Sequence, residues 1–423
     1  MQLTLNIEDL RFDAPLPQLY HVRQPKRPPA LDDVPAAVWA QLDAVGLAAK
    51  LRPCMSVAVT AGSRGIHDIV PALRTTVDYL REHGATPFLI PAMGSHGGAE
   101  APEQVTLLRE LGVTEESIGC PIRATMDVVE LGRLPNGTPI HFDRYAAEAD
   151  GVVVVNRVKL HTDFHGSIES GLSKMIAIGL GKKRGAETIH SHGPNGLRTL
   201  IPAIARQVAG TGRILCGVAL LENADERTAE VVALPPEAIG AAEEEALLVR
   251  AANLMGRLPF AHLDVLIVDE LGKNISGCGM DTNIIGRMRI PGQPEPDAPQ
   301  ISIIVALDIT PQSHGNAAGV GLADLIPAKL AHKIDFTATY INGLTSGIGG
   351  VQRIMLPAVL PTARDAIAAA LHCCAQPDYD AIRLARVRNT LALQEMLISR
   401  PLLEETQAAG FEALGEAVWE GLE

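Results

Sequence analysis

No apolar stretch of the chain reaches the roughly 18 uninterrupted residues that a membrane-spanning helix needs, so no crossing helix is expected. Positive charge is not in excess either: 36 lysines and arginines face 49 aspartates and glutamates, a formal net charge of −13. Nucleic acid and anionic membranes both reward a concentrated basic surface, which excludes them as main partners and leaves room only for a local basic pocket. The six cysteines, at 54, 120, 216, 278, 373 and 374, include no CxxC pair and read as reduced thiols of a cytoplasmic protein. The opening MQLTLNIEDLRF lacks the cationic start and apolar run of a signal peptide; it carries Glu8 and Asp9 and alternates like a strand. No repeat of fixed period is present. With 47% hydrophobic and 20% charged residues, the chain has ample material for burial and no compositional tendency to disorder.

A length of 423 residues exceeds one ordinary core and predicts two domains with a cleft between them. The proline-rich, charged stretch from Arg23 to Asp33 reads as a surface connection after an opening strand or hairpin. Strand-like runs follow at 56–60, 86–91, 151–156 and 213–221, with helical spacing at 69–82, 103–111 and 237–255. The alternation restarts with DVLIVD at 264–269, placing the division near Arg257 and giving domains 1–257 and 258–423. A strand at 301–308 and a helix at 362–374 complete the second half. Continuous β-branched runs such as GVVVVN predict mostly parallel sheets flanked by helices, an α/β architecture with the active site in the interdomain cleft.

Three of these strands run straight into turns rich in polar chemistry: AGSRGIHD, AMGSHGGAE and RVKLHTDFH. Ligands of open α/β sheets bind beyond the carboxyl ends of the strands, so Arg64, His96 and His161 are expected to converge there. Arg64 suits bidentate recognition of a carboxylate. Each also fits a plainer role, as a surface arginine or a histidine filling a turn. His161 and His165 stand four apart, the spacing of two zinc ligands on one helix face, but Thr162 occupies the position of the glutamate in HExxH. Gly166 and the preceding strand favour a loop instead. Further on, Lys174 lies among Leu172, Met175, Ile176 and Ile178, where burial would make its amine a better nucleophile. GLGKK fails the phosphate-loop pattern, with Ile176 five positions before Gly181 where a glycine is required. Lys182, Lys183 and Arg184 fit either a phosphate contact or a solvated charge run. His190 and His192 are candidate metal ligands.

Taken in order, the Arg64 turn, GSHGG with His96, KLH with His161, and GLSK followed by His190 sixteen positions after Lys174 resemble the nickel-pincer lactate racemase family of 2-hydroxyacid racemases and epimerases. That resemblance implies a nickel-pincer nucleotide, pyridinium-3,5-bisthiocarboxylic acid mononucleotide nickel, covalently linked to Lys174, with His190 as the nickel ligand. It implies His96 and His161 as the two acid–base groups and Arg64 as the anchor of the substrate carboxylate. Lys182 and Lys183 are the candidates for the cofactor phosphate. Partners implied are a small hydroxy acid and the enzymes that make the cofactor. An imidazole with a pKa of about 6.5 both takes and gives a proton near neutrality, which suits a reaction that serves two enantiomers.

The chain departs from that family in two places. Ala61 stands where an acid precedes the arginine turn, and DELGKNISGCGMDTNIIGR lacks the expected Tyr-Gln and lysine pattern. Lys273, Asn274, Asp281, Thr282 and Asn283 are expected to face the cleft instead, pointing to a larger hydroxy acid, such as a sugar acid or a malate-like diacid, rather than lactate. An insertion before Lys174 leaves His165 as an alternative to His161. A zinc-dependent hydrolase or lyase built on His161, His165 and His190, and a non-catalytic homologue that binds a nucleotide or small acid, are the competing readings.

Overall fold

Four successive valines have no polar face to turn toward water, and Val152 to Val155 are fully buried in the strand Gly151–Arg157. In the computed structural model, which describes residues 6–25, 30–63 and 65–423, this strand is the middle of a five-stranded sheet. The order is Thr86–Pro91, Ser56–Ala61, Gly151–Arg157, Ile214–Glu222 and Thr228–Leu234, parallel except for the last pairing. Alternate side chains serve two cores. Val152 and Val154 pack with Leu197, Ile201 and Ala205 of helix Gly193–Ala209, while Val153 and Val155 pack with Leu73, Val77 and Leu80 of helix Ile69–Glu82. Each fully buried aliphatic side chain contributes roughly 1.5–3 kcal/mol, so covering both faces fixes the strand's register firmly. Helix Val34–Ala44 begins where Asp33 accepts the Ala36 N–H at 2.8 Å, with Pro35 in the first turn.

These elements form one compact unit, Pro28–Met255; the other comprises Met1–Arg27 with Gly256–Glu423. The second unit has an eight-stranded sheet in the order Ala358–Leu360, Leu325–Pro327, Gln300–Ala306, His262–Val268, Leu384–Val387, Glu395–Ser399, Leu19–Arg23 and Glu412–Ala417. Its first five strands are parallel and the remainder antiparallel. Helix Ala363–Cys373, capped by Thr362, lines its core against Val265, Ile267 and Val305.

Several sequence expectations change here. Residues 6–18 carry no strand; the first is Leu19–Arg23, whose partners lie almost 400 positions away in sequence, beyond any local pattern. That pairing draws the start of the chain into the unit formed by its second half, where the expected division kept 1–257 together. The expected helix at 237–255 starts late, at Ala242, because Ala241 is extended at φ −117° and ψ −173°. Part of the expected surface connection, residues 26–29, lies outside the described residues, as do residues 1–5.

No helix among the described residues is long and apolar enough to cross a membrane. All six cysteines are free thiols, with Cys54 and Cys373 exposed and the other four buried. Burial pushes the Cys120 thiol up to about 11 and Cys216 to about 12, leaving both in the unreactive protonated form at neutral pH. Titration of the native protein with Ellman's reagent at pH 8 is therefore expected to give two rapidly reacting thiols, the other four following only on unfolding. More than two fast thiols would contradict this packing.

Candidate active site

Parallel strands end at the same edge of a sheet, so the turns leaving Ser56–Ala61, Thr86–Pro91 and Gly151–Arg157 emerge together. His96, His161, His165, Lys174, Lys182, Lys183 and His190 all belong to the Pro28–Met255 unit. Arg64 lies outside the described residues.

The three turns close on one segment. In the first, Gly62 lies against Met175, whose methyl a Cβ there would approach to 3.2 Å. Next to it, the Ser63 hydroxyl is hydrogen bonded to His96 Nδ1 of the second turn. His67 N–H donates to Glu222 at 2.8 Å, and Arg157 pairs with the same carboxylate, adding the end of strand Ile214–Glu222 to the group. In the second turn the Gly94 N–H donates to the Gly179 carbonyl at 3.3 Å, with Gly94 at φ +59°. A Cβ on Gly179 would stand 2.7 Å from the Ala92 carbonyl oxygen, so only glycine permits this backbone contact. The Gln104 amide donates to the carbonyls of Gly94 and His96 at 3.1 and 3.0 Å. From the third strand, Asn156 donates to the Gly171 carbonyl at 2.9 Å, just ahead of Lys174.

The stretch 158–171 is a loop, which puts His161 and His165 in separate environments rather than on one helix face. Glu169, 2% exposed, organises it. Its carboxylate accepts the His161 N–H, the Gly166 N–H at 3.2 Å and His165 Nδ1 at 3.1 Å. His161 Nδ1 accepts the Asp163 N–H at 3.0 Å, and its ring lies 4.7 Å from that of Phe164. A backbone N–H can only donate, so neutral His161 carries its proton on Nε2.

Lys174 ends the short helical turn Leu172–Lys174 and leads into one π-helical turn, Met175–Gly179, closed by Leu180 N–H donating to the Met175 carbonyl at 2.8 Å. Such turns recur at functional sites. Buried Glu244 anchors the start of the segment through the Ser173 N–H at 2.9 Å and the Ser173 hydroxyl at 2.5 Å. Lys174 itself is half-buried, less enclosed than its apolar neighbours suggest. Helix Lys182–His190 then carries His190, which reaches solvent within a dense protein environment. Burial lowers its pKa, the Lys174 ammonium lowers it further, and the Asp163 carboxylate opposes both. Those couplings put Lys174 and Asp163 each within electrostatic reach of His190.

The cationic run divides. Lys182 is fully buried and ion-paired with Asp143 at 3.0 Å, so it does not meet the expectation of a phosphate contact; its stem points into the core. Burial pushes its pKa down, partly offset by Asp143. Lys183 is exposed, 4.0 Å from Glu187. His192 is exposed and bonds the Thr188 carbonyl at 2.9 Å. In the other unit, Asp281 and Thr282 are buried rather than ligand-facing, because Asp281 caps the helical turn Thr282–Ile285 through the Asn283 N–H at 3.0 Å. Lys273 donates to the Gly277 carbonyl at 2.6 Å, Asn274 accepts from Thr310, and the Asn283 amide turns back to Asp281. Among the described residues, no three His, Cys, Asp or Glu side chains group to hold a metal ion, so the trio of His161, His165 and His190 is not assembled as a zinc site. Sequence reasoning missed Ser63, Gln104, Asp163, Glu169 and Glu244; a signal was available only for Asp163 and Glu169, acids inside the loop sequence HTDFHGSIESG.

Residues 36–195 match the family model of the lactate racemase N-terminal domain. This segment is similar to the N-terminal domain of lactate racemases. It spans every candidate from Arg64 to His190, while strands Ile214–Glu222 and Thr228–Leu234 of the same sheet lie beyond the matched residues. No curated protein matches the chain. Among solved structures, the lactate racemase apoprotein from Thermoanaerobacterium thermosaccharolyticum is similar at 13% identity and a TM-score of 0.46, over 68% of this chain and 69% of that one. A structural-genomics crystal structure of a protein from Thermotoga maritima is similar at 13% identity and a TM-score of 0.47, over 65% and 70%.

The central contact of the Pro28–Met255 unit is open to a direct test. Gly179→Ala would force a Cβ to 2.7 Å from the Ala92 oxygen and 2.8 Å from Met175 Sδ. Overpacking of this kind costs about 1–3 kcal/mol, and calorimetry is expected to show a melting temperature lower by several degrees. An unchanged melting temperature would mean that the turn and the π-helical segment are not in contact.

Proposed function

We propose that the protein is a racemase or epimerase of a 2-hydroxy acid that uses a nickel-pincer nucleotide tethered to Lys174. The observation that carries this reading is the packing of the three strand ends around the Gly171–Gly179 segment, with His190 in electrostatic reach of Lys174. The residues fit the group. A half-buried lysine at a rigid backbone anchor is accessible for acylation, and an imidazole with a lowered pKa is neutral and able to donate its lone pair to a metal. When bound, the nucleotide would supply the hydride acceptor. A site in which the cofactor brings most of the donors needs only one protein ligand, His190, and no all-protein cluster.

The chain's own residues supply the proton chemistry. A serine hydroxyl both donates and accepts, so the Ser63–His96 bond at Nδ1 survives either protonation state of the ring, and Nε2 is the atom that would take or return the hydroxyl proton. His161, fixed with its proton on Nε2, is set to donate. His165 is the alternative in the same loop: the Glu169 carboxylate accepts its Nδ1 proton and leaves Nε2 basic. Arg64 would hold the substrate carboxylate and exposed Lys183 would lie toward the cofactor phosphate. We infer a substrate larger than lactate, a sugar acid or a diacid, from the loss of the family's acid at Ala61.

The test is chiral chromatography of single enantiomers of lactate, malate and sugar acids, incubated with protein co-produced with the cofactor's biosynthetic enzymes. Racemisation or epimerisation of one of the larger acids is expected. His96→Ala is expected to lower kcat by about 10²–10⁴-fold, and so is one of His161→Ala and His165→Ala. Full activity of His96→Ala, or of both loop variants, would defeat the two-base reading.

A further inference from the structure

Lys182 is the one member of the cationic run that turns inward, and its surroundings are built rather than incidental. Its ammonium donates to the carbonyl of Pro91, the last residue of the strand that leads into the His96 turn, and lies 3.5 Å from Gln104 Oε1. Asp143 Oδ2 meets it at 3.0 Å, while Oδ1 caps the helix Arg144–Glu148 through the Ala146 N–H at 3.0 Å. The other end of the Gln104 amide holds the carbonyls of Gly94 and His96. Lys182, Asp143 and Gln104 are all fully buried. Lys182 also adopts φ +52°, a strained conformation for a residue with a Cβ, which persists because the side chain is fixed at its far end.

We propose that Lys182 is a positioning residue: the buried Asp143–Lys182–Gln104 chain holds the His96 turn in register with the helix that runs to His190. An unbranched lysine stem reaches from the first residue of that helix to the strand end, where its ammonium hydrogen bonds the Pro91 carbonyl and Gln104 and meets the Asp143 carboxylate as an ion pair, three oxygens from three different elements. One ion pair thereby ties together the hairpin strand Pro139–Asp143, helix Ala101–Glu110, the end of Thr86–Pro91 and helix Lys182–His190. The consequence for turnover rests on the reading of His96 as an acid–base group; the geometric role does not.

The test is ¹⁵N NMR of histidine-labelled protein, with the His96 signals assigned by His96→Gln. Lysine loss alone would strand a buried carboxylate, so the pair is removed together as Asp143→Asn with Lys182→Met. Gln104→Leu, which keeps the ion pair, is the second variant. Both are expected to shift the His96 ring nitrogens toward the averaged values of a freely exchanging imidazole, with His21 and His262 of the other unit unchanged. In cofactor-loaded protein kcat falls severalfold with KM retained. If the double variant does not fold, Gln104→Leu decides alone. Folded variants with wild-type His96 signals, even at lower melting temperature, would overturn the proposal and leave the chain a purely structural role; ring signals that shift as expected in the variants, with no turnover in the loaded wild type, would instead count against the proposed function.

Discussion

Backbone approaches backbone at contact distance only where no Cβ intervenes, and the Pro28–Met255 unit is organised around one such approach. The Gly94 turn and the π-helical segment ending at Gly179 share a hydrogen bond, and the space a Cβ would need on Gly179 is already filled by the Ala92 carbonyl. Two elements more than 80 positions apart in sequence are thereby locked at fixed separation. His96 rides on one and Lys174 begins the other, so the distance between the two chemistries is set by main chain, which moves less than side chains do. The parallel sheet supplies the rest: strands that all end at one edge deliver their turns to the same place.

Around that contact the polar groups are wired so that each ring has one nitrogen committed. Ser63 engages His96, the Asp163 N–H engages His161, and Glu169 engages His165. These bonds define tautomer and orientation before any ligand arrives, which is the condition for proton transfer over hydrogen-bond distances. Buried Glu169 and Glu244 act on backbone N–H groups at either end of the 161–173 stretch, so a segment rich in glycine and serine is held by two carboxylates together with the buried side chains of Phe164, Ile168 and Leu172.

Legibility in the sequence followed the range of the interaction. Strands such as 86–91 and helices such as 69–82 were readable to the residue, because periodicity and β-branched runs are local. The pairing of Leu19–Arg23 with the far end of the chain was not, since a strand's partner leaves no mark on its own sequence. At the candidate site, the strand-end placement of His96 and His161 was legible for the same local reason. Lys182 was misread because a lysine beside Lys183 and Arg184 looks solvated until Asp143, about 40 positions earlier, is seen buried beneath it. Ser63 and Gln104 carry no sequence signature; they matter only through what the fold sets next to them.

Lys174 is where the backbone constraint, the histidine wiring and the proposed chemistry meet, through a cofactor tether at that residue. Intact-protein mass spectrometry with metal analysis, on wild type and Lys174→Ala co-produced with the cofactor-making enzymes, tests it most directly. An adduct that maps to Lys174 and near-stoichiometric nickel are expected in the wild type, and neither in the variant. An unmodified Lys174 under conditions that load a known pincer enzyme would contradict it.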